Sequence, residues 1–166
     1  MRVIGIDPGT RHLGWGVLDQ VGTKISHVAH GVVSPDEGLA LGDRLVHLDE
    51  ALEHLLDKFR PDAAAVEAIF YAKDAQAAAK LGHARGVILL RLARARLPIH
   101  EYPLARVKRA VTGKGAATKD QVALLITALL RLGTPPKHDA ADALANAFTH
   151  LAMSKFTAAL AASRRS

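Results

Sequence analysis

Two short apolar runs, far apart in the chain, each close on a carboxylate. Val3-Ile4-Gly5-Ile6 ends at Asp7, and Ala63-Ala64-Ala65-Val66 ends at Glu67. Apolar runs of this length, bounded by turn signals, read as buried strands. Pro8-Gly9 supplies the turn that stops the first run, and the proline biases Asp7 toward extended backbone. Both acids therefore stand where a buried strand meets a loop edge. Each also has an ordinary explanation. Aspartate before Pro-Gly is common turn chemistry, and glutamate at a strand end can pair with a lysine or arginine.

The segments around these runs set the fold class. Leu13 to Asp19 reads as a second strand, a loop containing Gly22 follows, and Ile25 to Val33 is a third strand, so the first three form an antiparallel meander. Leu41, Leu45, Leu48, Leu52, Leu55, Leu56 and Phe59 recur at helical spacing up to Arg60-Pro61. After the strand at 63–67 come an alanine-rich helix from Asp74 to about Arg96, a fifth strand from Ile99 to Tyr102 and a short helix from Pro103 to Val111. A glycine-containing loop (Gly113 to Thr118), a helix from Lys119 to Leu132 and a last helix from Asp139 to about Lys155 complete the order. The expected fold is α/β: a mixed five-stranded sheet, antiparallel then parallel, flanked by helices. A right-handed crossover sets the fourth strand parallel to the first. Ligands of open α/β sheets bind outside the carboxyl ends of the strands. Asp7 and Glu67, each expected as the last residue of its strand, then face one site. The 166 residues suit one domain, taken as 1–157, with a basic, flexible tail at 158–166.

Asp139 and Asp142 strengthen the reading. Spaced i, i+3 at a helix start, they share one face. The helix dipole accounts for Asp139. It accounts less well for Asp142, which stands in Ala140-Ala141-Asp142-Ala143-Leu144-Ala145 and needs a partner if it is even partly buried. Four converging carboxylates raise each other's pKa. An all-oxygen ligand set selects hard ions, Mg²⁺ or Mn²⁺, and two such ions suit phosphodiester hydrolysis without a serine or cysteine nucleophile. His138 adjoins Asp139, and is either an outer-shell or ligand residue or an exposed loop histidine. The net charge of +6, with lysine and arginine concentrated in the second half, favours a polyanionic partner. The chain has no cysteine, which excludes disulfides and zinc–thiolate sites. The absence of cysteine makes a reducing cytoplasm the expected setting, no run reaches the length of a membrane span, and no signal peptide is evident.

Five motifs, in order, resemble those of the RuvC-type Holliday-junction resolvases. They are Gly5-Ile6-Asp7-Pro8-Gly9-Thr10-Arg11 with Leu13-Gly14-Trp15-Gly16, then Val66-Glu67-Ala68-Ile69-Phe70, then Lys80-Leu81-Gly82-His83-Ala84-Arg85-Gly86. Val107-Lys108-Arg109 with Gly113 and Asp139-Ala140-Ala141-Asp142-Ala143-Leu144-Ala145 follow. The resemblance implies a ribonuclease H-like fold and an endonuclease that resolves four-way DNA junctions by paired nicks in recombination and repair. It carries metal ligation onto Asp7, Glu67, Asp139 and Asp142, and contact with DNA backbone onto Lys108 and Lys119. Phe70 takes the place of an aromatic that stacks on a base near the junction centre, with Tyr71 beside it. Arg109 and Lys114, near the glycine-containing loop, join the DNA-binding set. Ala68 departs from the family, which often carries glutamine there.

A two-fold symmetric junction implies a homodimer. The small residues Ala75, Ala78, Ala79, Gly82 and Gly86 either form its interface or pack their helix on the sheet. The resemblance also implies a branch-migration motor as a partner. Three alternatives stand beside this reading: a nuclease of the same fold acting on another nucleic acid, a non-catalytic junction-binding module, and an ATP-binding protein whose phosphate loop also starts with an acid and Gly-Thr.

Overall fold

The computed structural model describes residues 1–68 and 75–163, the side chains of 77 and 154–163 excepted. Five strands form one sheet: β1 (Arg2–Asp7), β2 (Leu13–Val21), β3 (Lys24–Val33), β4 (Ala63–Ala68) and β5 (Ile99–Pro103), in the order β3-β2-β1-β4-β5. The first three are an antiparallel meander, while β4 lies parallel to β1 and β5 parallel to β4. The α/β expectation of a meander followed by parallel strands holds.

Helices cover both faces. α1 (Leu41–Phe59) and α2 (Ala75–Arg94) pack on one, where Ile4, Ile6, Ala64 and Val66 meet Leu48, Leu52, Ile88 and Leu92. α3 (Leu104–Thr112), α4 (Lys119–Leu129) and α5 (His138–Ser163) pack on the other, where Val3, Ala63 and Ala65 meet Val107, Val122, Ile126 and Leu144. Successive strand residues point to opposite faces. The even-numbered residues of β1 therefore serve the α1–α2 core. The odd ones, ending at Asp7, point toward α5. In β4 the same alternation carries Ala63, Ala65 and Glu67 to the α5 side.

A smooth floor lets α5 lie close. Gly5, Gly14 and Gly16 share the α5 face of β1 and β2, and Gly5 pairs with Gly16 across the strands. A β-carbon on Gly5 would stand 1.9 Å from the Ala143 carbonyl oxygen, and one on Gly14 would stand 2.0 Å from that of Asp139. Only glycine permits this approach of backbone to backbone.

Several boundaries differ from expectation. β4 runs on to Ala68, so Glu67 is its penultimate residue. α4 ends at Leu129 rather than Leu132, because Arg131 turns left-handed (φ 54°) and the Leu132 N–H closes on the Thr127 carbonyl. α5 begins at His138 and continues past Lys155 to Ser163, through an alanine-rich stretch with no breaker. The helix therefore includes the backbone of 158–163. On α2, Ala84, Ile88 and Leu92 are buried, whereas Ala75, Ala79, Gly82 and Gly86 are exposed. Most of the small-residue stripe faces away from the sheet.

Candidate active site

Register brings the first two acids together. Ile6 pairs with Val66 across the parallel β1–β4 ladder, so the next residues, Asp7 and Glu67, are neighbours at one sheet edge. Both point to the α5 side, where Asp139 and Asp142 lie on the first turns of α5. Asp142 is buried, while Asp7, Glu67 and Asp139 are half-buried.

Their fields overlap. Burial first, then the charges of Glu67 and Asp142, push the Asp7 carboxyl up to about 8, with a smaller push from Asp139 and an opposing pull from Lys119. Glu67 is also raised, by burial and then by Asp142, while Lys119, Lys108 and Arg85 pull it down. Carboxylates behave this way when desolvated together with too little positive charge to balance them. Asp7 senses all three other acids, so the four form one electrostatic unit.

Lys119 is the protein's own response to that imbalance. Its Nζ donates to Asp142 Oδ2 at 3.0 Å. The contact with Asp142 and the nearby Asp7 and Glu67 hold its ammonium above the usual lysine range. The position is built locally. Thr118 caps α4 by accepting from the Gln121 N–H at 3.2 Å, and Gln121 accepts from the Thr118 N–H at 2.9 Å. This capping box places Lys119 as the first residue of the helix.

Two supports were not foreseen from sequence. Arg85 donates to the backbone carbonyl of Glu67 at 2.6 Å and to Glu101 Oε2 at 2.5 Å, tying α2 to the ends of β4 and β5. Buried Asn146 donates to the carbonyl of Ile6 at 3.1 Å and fixes the backbone just before Asp7. Asn146 follows Asp142 by one helical turn in the same apolar run. The reasoning that singled out Asp142, a polar group among alanines, applies to it equally.

The remaining expected residues divide. Lys108 is near enough to influence Glu67. Arg109 and Lys114 are exposed, with the Arg109 guanidinium lying beside Gly115. His138 has an exposed neighbour in Asp120, at 3.7 Å from Nε2 to Oδ1. Phe70 and Tyr71 lie outside the described residues.

A metal fits this donor set. All four side chains offer oxygen, and the upward shift at Asp7 marks an ionised form that a hard dication would stabilise. Among the described residues, no three carboxylates or imidazoles are gathered tightly enough to hold an ion among themselves. Lys119, bonded to Asp142, stands among the acids instead.

Comparison with known proteins shows which family the chain is similar to. The family model for crossover junction endodeoxyribonuclease RuvC matches residues 3–150. The chain is 63% identical over 163 residues to a crossover junction endodeoxyribonuclease RuvC of Sorangium cellulosum, spanning 98% of this chain and 91% of that protein. Its fold is similar to the solved structure of Thermus thermophilus RuvC, with a TM-score of 0.85 and 35% identity over 95% of this chain and 97% of that one. A second structure, T. thermophilus RuvC in complex with a Holliday junction substrate, gives a TM-score of 0.87 at 36% identity over 95% and 96% of the two chains.

Proposed function

Because the chain belongs to the RuvC family of crossover junction endodeoxyribonucleases, we propose that it resolves four-way DNA junctions by paired, symmetric hydrolysis of phosphodiester bonds, in recombination and repair. One observation carries the reading. Asp7, from the end of a central strand, shares its electrostatic environment with Glu67, Asp139 and Asp142, which arrive from two other elements.

Membership of this family implies a need for a divalent metal. In our reading Asp7, Glu67, Asp139 and Asp142 would hold Mg²⁺ or Mn²⁺, with two ions per site. Bound there, the metal would supply an activated water and stabilise the charge on the leaving oxygen. The chain's own residues do the rest. Asn146 and Arg85 hold the backbones that carry Asp7 and Glu67. Lys108 and Lys119 lie at the acids, and with Arg109 and Lys114 they supply positive charge for the DNA backbone. Phe70 and Tyr71 are proposed to stack on bases at the junction centre.

One acid cluster makes one cut, so a two-fold junction calls for two copies. The exposed small residues of α2, notably Gly82 and Gly86, suit the close approach of a second copy. Among the described residues, a β-carbon on either glycine would meet no atom within 4 Å outside its own helix backbone. A branch-migration motor as partner and a cytoplasmic setting complete the proposal. Among the described residues, no helix is long and apolar enough to cross a membrane.

The test is incubation with a synthetic four-way junction and with linear duplex, in Mg²⁺, in Mn²⁺ and in chelator. Paired nicks in the junction alone, and only with metal, are expected. Equal cutting of linear duplex, or cutting in chelator, would contradict the reading.

A further inference from the structure

The position of Lys119 has the wrong sign for helix stability. Lys119 is the first residue of α4, where the positive end of the helix dipole disfavours a cation. Its Nζ nonetheless bonds Asp142 Oδ2 at 3.0 Å, and its charge also reaches Asp7 and Glu67. The side chain of Asp142 is 10% exposed, so its carboxylate has little access to water for balance. That of Lys119 is 59% exposed, so the ammonium has solvent to swing into. The lysine has one strong reason to stay, which is the negative charge of the acids. An ammonium within hydrogen-bond distance of Asp142 and a divalent cation on the same carboxylate would repel each other in a partly desolvated site.

We propose that Lys119 is a built-in counter-ion that competes with divalent metal for Asp142, so that metal loading releases its ammonium toward the DNA backbone. The proposal rests on the reading above, in which the acids take up the metal. The availability of Lys119 to phosphate then reports the charge state of the site. Metal occupancy and DNA affinity become coupled, and the coupling is reciprocal.

Lys119→Met keeps the aliphatic stem and removes the charge. Mn²⁺ binding is measured by calorimetry on the DNA-free full chain. The Met variant is expected to bind Mn²⁺ at least threefold more tightly than the parent. Unchanged or weaker binding would overturn the competition. Junction affinity is then measured with and without Ca²⁺ as the probe cation. Ca²⁺ is expected to raise the affinity of the parent by a larger factor than that of the Met variant. Equal factors would overturn the release. Asp7→Asn separates the two levels of inference. If it leaves Mn²⁺ binding intact, the acids are not the metal site, and the reading of the site fails rather than the role of Lys119 alone.

Discussion

The carbonyl oxygen of Asp139 occupies space that only a glycine at position 14 leaves open: a β-carbon there would lie 2.0 Å from it. Gly14 pairs with Asp7 across the β1–β2 ladder. The same close approach that seats α5 on the sheet thus sets the height of Asp139 and Asp142 above Asp7.

Gly14→Ala should push α5 away from the sheet and cost about 2–4 kcal/mol of stability, as overpacking against backbone does. Gly42→Ala is the matched control, because nothing lies within 4 Å of its β-carbon and alanine favours a helix. Denaturant midpoints check both. A Gly14→Ala protein as stable as the parent would mean that α5 does not depend on the glycine floor.

Asp7→Asn should stabilise the chelated protein at alkaline pH. The folded carboxyl is raised from 3.8 to about 8, so folding disfavours its ionised form. Through this group, stability is highest below the unfolded pKa and falls as pH rises from about 4 to about 8. The neutral amide removes that slope and is expected to gain on the order of 2 kcal/mol at pH 8, after allowance for screening. Thermal unfolding against pH, in chelator, reads it. An identical slope in parent and variant would contradict the assignment.

The sheet was legible in the sequence because its central strands are uninterrupted apolar runs, and so were Asp7 and Glu67, the acids that directly follow those runs. Asp142 was legible as an acid among alanines. Two things were not. The ends of α4 and α2 depend on Arg131 and Arg96 turning left-handed, a choice that no glycine signals. The partnership of Lys119 with Asp142 joins residues on two helices whose relative placement is set by the glycine floor and the packing of α4 on α5. No local pattern encodes that distance. Phe70 and Tyr71, which resemblance assigned to DNA, lie outside the described residues.

Arg85→Ala should lower cleavage while sparing most of the junction affinity. The guanidinium holds the Glu67 carbonyl and Glu101 together, and its loss is expected to cost about 1–3 kcal/mol of stability. Arg85→Lys should not restore it, because an ammonium lacks the planar fork that reaches both acceptors. Cleavage rates and unfolding midpoints of the two variants check the role. Full activity in the lysine variant would speak against it.

Gly86→Arg should leave the fold intact and prevent dimer formation. Among the described residues a β-carbon here meets no atom within 4 Å outside its own helix backbone, so the side chain starts into open space, and in the proposed dimer it would meet the second copy. Sedimentation of parent and variant decides it. A dimer that persists in the variant would place the interface elsewhere.

The most direct test of the central idea, that four acids from three elements work as one site, is to compare junction cleavage with junction binding for Asp7→Asn, Glu67→Gln and Asp142→Asn side by side. Each variant is expected to lose roughly a hundredfold or more in cleavage rate and to keep its junction affinity within a few-fold. Cleavage at the parent rate by any of the three would contradict it.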